Sequence, residues 1–284
     1  LYASWILVQA RQRGVRRLYF LARDGYIIMK VAEVLAHNWG MDIELRYLHT
    51  SREAWLFPSL QEIDNFTLSW ITWGYLSSIS VDEIEKRLRF PAGALWRQLA
   101  SMPEFSGSES TSSLSTVQID LVKTTLTRED ILCDLCLRAD TALENVRGYL
   151  AGQGLFESEP YALVDTGWKA TSQYGLSLIL GKLKSRTHSG VTAFYLGLNK
   201  GHHLFDGDSA LSFLFDWNRS GIDYRLYNFL CLELLLSARD GRTIGYSDAS
   251  DGYAPILLDN PCPENLWAVD IHHECVLSYV GYAS

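Results

Sequence analysis

Residues 161–172 constrain this chain more than any other stretch. Tyr161, Ala162, Leu163 and Val164 form a short apolar run that ends on Asp165. The polar turn Thr166-Gly167-Trp168-Lys169-Ala170 follows, and Thr171 and Ser172 lead into a helical pattern that runs through Gln173 to Leu183. A short apolar run without alternation reads as a strand buried on both faces, as in parallel sheets. The turn delivers the chain to a helix N-terminus, where backbone N–H groups lacking helical partners converge on an anion. Asp165 stands at the carboxyl end of the strand, in place for a sugar hydroxyl or a metal ion.

The same grammar governs the first 52 residues. Leu1 to Arg13 carries apolar residues at helical spacing, with Gly14 as the stop. Arg17 to Ala22 reads as a strand, Arg23-Asp24-Gly25-Tyr26 as a loop, and Ile27 to His37 as a helix. Ile43 to Leu48 is a second strand, followed by His49-Thr50-Ser51-Arg52. This alternation predicts an α/β fold with a parallel sheet, and in such sheets ligands collect outside the carboxyl ends of the strands.

From Pro58 to about Gly154 the pattern changes. Trp70, Trp73 and Tyr75 form an aromatic segment, and Val81–Leu88 and Pro91–Leu99 read as helices. Ser106–Ser115 is a serine-rich loop, and Thr127–Leu150 is helical again. The expected organisation is therefore an α/β core of residues 1–57 and 155–284 with a helical cap, 58–154, inserted in it. Beyond Ser172, Lys182, Lys184 and Arg186 read as favourable charge at a helix C-terminus. Val191–Leu198 is a strand, Tyr227–Ser237 an apolar helix, and Arg239-Asp240-Gly241-Arg242 its polar exit. The last thirty residues carry no clear period, and no internal repeat is visible.

Composition narrows the class. The 284 residues suit one large domain with an insertion, and 48% apolar content with nine tryptophans supports a sizeable core. The net charge of −8 argues against a general nucleic-acid surface but not against a small phosphate ligand. Apolar runs such as Phe229–Leu236 are too short to span a bilayer, and no secretory signal is seen. The five cysteines are an odd number, and Cys133 and Cys136 lie within a helical pattern with no second pair. Ordinary helix residues in a reducing cytoplasm fit them best. The chain opens at Leu1 inside a helical pattern and reads as a piece of a longer protein.

Three polar strand ends then stand out: Leu21 to Tyr26, Thr50-Ser51-Arg52, and the Asp165 loop. If the three strands are parallel neighbours, one rim presents Arg23, Arg52 and Lys169 as cations and Asp24 and Asp165 as carboxylates. Gly25 and Gly167 would let a ligand approach the backbone closely. That inventory suits phosphates, a sugar and a metal ion. Plainer explanations stand beside it. Asp24 is suited to cap the helix that follows, and so are Asp165 and Thr166. Ser51 and Arg52 carry little weight singly. Glu233, a lone carboxylate in an apolar helix, reads as a partly exposed face or a functional group. His202-His203 and His272-His273 are adjacent pairs, a spacing poorly suited to a shared metal.

The order strand, Arg/Gly loop, helix, strand, inserted hood, strand–Asp–Thr/Gly loop–helix resembles the type I phosphoribosyltransferases. More closely, residues 18–26, 50–54, Val164-Asp165-Thr166-Gly167-Trp168 and Glu233-Leu234-Leu235-Leu236-Ser237-Ala238 resemble a bacterial polysaccharide-biosynthesis family whose members are often labelled hydrolases of the haloacid-dehalogenase superfamily. The resemblance implies a phosphoribosyltransferase-like core. It implies transfer of 5-phosphoribosyl from phosphoribosyl pyrophosphate to a lipid-linked glycan in O-antigen or capsule synthesis, with a partner phosphatase and other glycosyltransferase domains. Such work belongs in the cytoplasm at the inner face of the membrane, with no nucleic acid and no transmembrane segment.

On that resemblance Ala22, Arg23, Asp24, Gly25 and Tyr26 hold pyrophosphate with Mg²⁺, to which Asp24 is the one candidate protein ligand. Ser51 and Arg52 add to the substrate site. Thr166, Gly167, Trp168, Lys169, Ala170, Thr171 and Ser172 hold the 5-phosphate. Asp165 binds the ribose hydroxyls, Arg23 offsets charge on the leaving group, and Asp24 is a candidate base. The nucleotide-synthesis enzymes carry two consecutive acidic residues where Asp165 stands alone, and smaller residues where Trp168 and Lys169 stand, which favours a glycan over a nucleobase. Asp206-Gly207-Asp208 has the spacing of a dehalogenase-type nucleophile motif without its preceding apolar strand. A nucleobase phosphoribosyltransferase, a dehalogenase-type phosphatase and a non-catalytic phosphosugar-binding module remain the alternatives.

Overall fold

The computed structural model describes residues 1–72, 79–183, 190–220, 229–250, 252–258 and 268–283. The chain forms two compact units, Leu1–Trp55 with Asn145–Ser284, and Leu56–Glu144.

The first unit is α/β. Helix α1 (Tyr2–Gln12) leads through Gly14, at φ +65°, to strand β1 (Arg17–Leu21). Helix α2 (Gly25–Asn38) and strand β2 (Glu44–Leu48) follow. After the second unit the chain returns with β3 (Tyr161–Asp165), its helix (Thr171–Lys182), β4 (Thr192–Leu198) and β5 (Ser209–Asp216). These five strands form one sheet in the order β2-β1-β3-β4-β5, and every neighbouring pair is parallel. Leu18, Tyr19 and Phe20 of β1 and Leu163 and Val164 of β3 are fully buried, as expected of central parallel strands covered on both faces. On one face Leu18, Phe20, Val164 and Phe194 pack with Ile6, Leu7 and Ala10 of α1 and Ile27, Ile28 and Ala32 of α2. At the amino ends of the strands the buried Arg17 guanidinium bonds Glu44, Glu157 and the Gly154 carbonyl.

Helix Phe229–Leu236, an antiparallel hairpin of Thr243–Ala249 with Gly252–Leu257, and helix Val269–Ala283 complete this unit. The hairpin, the last helix and β5 were not anticipated from the sequence.

The second unit is helical, with Asn65–Ile71, Val81–Arg87, Ala94–Leu99, Thr116–Leu126 and much of Glu129–Gly152 around a core of its own. Ser80 with Glu83 and Ser115 with Gln118 form capping boxes that fix two of the helix starts. The helix expected from Pro91 starts only at Ala94, because Gly93 adopts a left-handed conformation at its N-cap. Cys133 and Cys136 lie in Glu129–Gly152 as free cysteines. Trp70 of the aromatic segment packs against this unit's core, while Trp73 and Tyr75 lie outside the described residues. Lys182 ends the helix after β3, and Lys184 and Arg186 also lie outside the described residues.

Candidate active site at the strand-order reversal

From β1 the chain steps to β2 on one side, whereas β3 leads to β4 and β5 on the other. The loops after β1 and β3 therefore diverge from a shared crevice at the carboxyl edge of the sheet, where open α/β sheets bind ligands. Arg23 to Tyr26 lie on one wall and Thr166 to Ala170 on the other.

A side-chain bond joins the walls: the buried Thr166 donates its hydroxyl to Asp24 Oδ2 at 2.8 Å. This settles the capping alternatives. Asp24 occupies the N-cap position of α2, which begins at Gly25 rather than Ile27, yet makes no capping bond with its side chain. The helix after β3 is preceded by Ala170 at φ +56°, so neither Asp165 nor Thr166 caps it. Ala170 supplies no side-chain cap at that N-terminus, which places the first-turn amides of Thr171 and Ser172 at the crevice end of the helix.

Each loop is held by close backbone packing. Ala22 N–H donates to the Leu48 carbonyl at 3.0 Å, and a Cβ on Gly25 would come within 2.9 Å of the Phe20 carbonyl carbon. Gly167, at φ +129°, leaves no room at all, since a Cβ there would sit 2.1 Å from the Gly197 carbonyl oxygen. Gly197 N–H bonds the Thr166 carbonyl at 3.2 Å and Asn199 N–H the Trp168 carbonyl at 2.8 Å, which ties the loop to the end of β4. The Ala22–Arg23 and Gly167–Trp168 peptides are cis.

The carboxylates are electrostatically linked. Burial raises the Asp24 pKa and the Glu233 charge adds to the rise, while the Thr166 hydroxyl and Arg23 oppose it. Asp165 is pushed up to about 7, first by burial and then by the charge of Asp24. The N–H groups of Gly167 and Thr166 and the charge of Arg52 pull it back only in part. Tyr2 of α1 donates its hydroxyl to the Asp165 carbonyl at 2.8 Å and braces the strand end.

Of the expected cations, Arg23, Arg52 and Lys169 are all exposed. Lys169 is turned to the Lys200 carbonyl, with its Nζ 2.5 Å from the oxygen. Tyr26, at the mouth, sets its ring on Tyr47 and His273 at 5.7 and 5.9 Å between centroids. The Ser51 hydroxyl donates to the Thr243 carbonyl at 2.6 Å and accepts from Ala54 N–H at 3.1 Å. Around that point Thr50 Oγ1, Thr243 Oγ1 and His49 Nδ1, and Asn199 Oδ1 near Trp168, are buried without hydrogen-bond partners among the described residues. Buried polar atoms are rarely left so, and they mark a rim lined for polar company.

Glu233 is half-buried, as a partly exposed helix face would have it, and it also bonds the second loop. Its Oε1 accepts from Trp168 Nε1 at 2.8 Å, and the Trp168 ring lies 3° from parallel to Phe215 at 6.0 Å. Asp208, by contrast, accepts from Ser177, Val191 N–H and Phe205 N–H just before β5. It ties turns together at the sheet edge opposite the crevice. His202 and His203 also lie beyond β4, and His272 and His273 on the last helix.

Among the described residues no group of three or more His, Cys, Asp or Glu is placed to hold a metal ion, and no helix is long and apolar enough to cross a membrane. No family model matches the chain, and no curated protein matches it.

Proposed function

We propose that the chain is a glycosyltransferase module that moves 5-phosphoribosyl from phosphoribosyl pyrophosphate to a hydroxyl of a glycan and releases pyrophosphate. The observation that carries this reading is the 2.8 Å bond from Thr166 to Asp24, which joins two anion-receptive loops across the crevice between β1 and β3. A ligand with a phosphate at each end and a sugar between them matches that arrangement.

The loop Ala22–Tyr26 takes the pyrophosphate, with Arg23 offsetting negative charge as the leaving group departs. The loop Gly167–Ala170 and the first-turn amides and hydroxyls of Thr171 and Ser172 take the 5-phosphate. Asp165, between the loops, holds the ribose hydroxyls, and its ionised form favours positive charge developing on the ring. Arg52, within the electrostatic reach of Asp165, adds a cation to the donor site. Asp24, whose charge acts on Asp165 and which is acted on by Glu233, offers a hard oxygen donor suited to Mg²⁺, an ion that binds through one or two carboxylates and substrate phosphates rather than a cage of protein ligands. Asp24 is the residue that would hold it, and the ion would neutralise charge on the pyrophosphate.

The lone Asp165 and the bulk of Trp168 favour a glycan over a free nucleobase as acceptor. A lipid-linked glycan at the inner face of a bacterial membrane, and a separate phosphatase acting on the product, complete the proposal. The test is to incubate the protein with phosphoribosyl pyrophosphate, Mg²⁺ and a panel of glycan acceptors. Pyrophosphate release with a phosphopentose mass gain on the glycan supports the proposal. Turnover with free bases alone, or none with any acceptor, overturns it.

A further inference from the structure

Helix Phe229–Leu236 carries a single charged residue, Glu233, in an otherwise apolar sequence. Glu233 is half-buried, and a hydrogen-bond partner offsets the partial desolvation of its carboxylate. Leu236, three residues on, packs against the core shared by α1, α2 and the sheet, which anchors the helix end beside α2. Glu233 touches one wall of the crevice and acts electrostatically on the other. It is bonded to Trp168 on the β3 side, and its charge acts on Asp24 on the β1 side.

We propose that Glu233 is the catalytic base of the transfer and takes the proton of the attacking acceptor hydroxyl. This rests on the reading of the crevice as a phosphoribosyl-transfer site. In the reaction the bond from the anomeric carbon to pyrophosphate breaks and its electron pair leaves on the pyrophosphate oxygen. The acceptor oxygen bonds the anomeric carbon, and the acceptor proton passes to the Glu233 carboxylate. Inversion of an α-donor to a β-ribofuranoside requires the nucleophile on the face opposite the leaving group.

That requirement separates the three carboxylates. Asp24 belongs to the leaving-group loop, and its Oδ2 already accepts from Thr166. Asp165 ends the strand between the loops and is committed to the ribose. Glu233 comes from a third element and reaches the opposite loop. A carboxylate has about four acceptor sites, and the Trp168 bond occupies one of them. Trp168, held by that bond and by its parallel Phe215 neighbour, fixes where the carboxylate stands.

The experiment uses the protein with Mg²⁺ and phosphoribosyl pyrophosphate, an active glycan acceptor, and the variant Glu233→Gln. The amide oxygen still accepts from Trp168 but cannot serve as a base. Donor binding by calorimetry should be preserved, and turnover should fall about 10²–10⁴-fold, the range for loss of a general base. Azide needs no deprotonation, so it should replace the glycan in Glu233→Gln and yield a ribosyl azide phosphate faster than the variant transfers to glycan. If Glu233→Gln does not bind donor, Glu233→Ala is used for the same comparison. Glu233→Gln turnover within tenfold of the unaltered protein overturns the assignment. So does a donor-binding variant that azide does not rescue, since that marks a positioning role only. An unaltered protein that binds no donor overturns the reading of the crevice and the assignment with it.

Discussion

Replacing Asp165 by Asn should flatten the dependence of stability on pH. Burial and the Asp24 charge carry the Asp165 pKa from 3.8 to about 7 on folding. The folded state therefore holds a proton that the unfolded chain releases near pH 4. The stabilisation is present below the unfolded value and is lost as pH rises through about 7. At about 1.36 kcal/mol per pKa unit the whole effect is about 4 kcal/mol, of which about 2.5 kcal/mol falls between pH 5 and pH 8. Asn keeps an oxygen for the Thr166 and Gly167 amides and carries no charge at any pH, and it also relieves Asp24 of a repelling neighbour. Urea unfolding of both proteins at pH 5, 6, 7 and 8 gives the comparison. The Asn variant should gain on the unaltered protein steadily across that range. Parallel curves, with a gap constant to about 0.5 kcal/mol, would refute the claim that Asp165 titrates near neutrality in the fold.

Gly167→Ala forces a Cβ to within 2.1 Å of the Gly197 carbonyl oxygen at a φ of +129°. Backbone strain and two weakened loop bonds should cost about 3–5 kcal/mol, a fall in Tm on the order of 10 °C by calorimetry. Thr166→Val removes the hydroxyl that opposes the rise of the Asp24 pKa. Carboxyl NMR should show Asp24 titrating at higher pH, with more stability lost as pH rises. Arg17→Met should cost about 2 kcal/mol in urea unfolding, below the roughly 3–5 kcal/mol of a fully enclosed pair. Its partners Glu44 and Glu157 retain side-chain exposures of 42% and 56% and can be hydrated when it is removed.

The parallel core was readable because buried parallel strands write themselves as unbroken apolar runs. Arg17–Leu21 and Tyr161–Asp165 lie within a residue of where their sequences put them. The two loops were readable because each begins where such a run meets Asp or Arg and a glycine. Other features depend on contacts distant in sequence. Strand β5 mixes Ser209 and Ser212 with Leu211 and Phe213, a pattern with no clean period, and it becomes a strand by pairing with β4. The hairpin of Thr243–Ala249 with Gly252–Leu257 carries Asp248 and Pro255, both poor strand formers, and is defined by its cross-strand register. Asp24 has the sequence of an N-cap, and only Thr166, 142 residues away, draws it elsewhere. Glu233 had one local sign, a charge among leucines, and its meaning comes from Trp168, 65 residues earlier.

The most direct test of the crevice is calorimetric titration with Mg²⁺ and three ligands: phosphoribosyl pyrophosphate, ribose 5-phosphate and pyrophosphate. One donor should bind per chain, and each fragment should bind more weakly and compete with it. Arg23→Ala should weaken pyrophosphate selectively, and Gly167→Ala should weaken ribose 5-phosphate selectively. No donor binding, or fragments that fail to compete with the donor, would contradict the claim that the loops after β1 and β3 share one ligand.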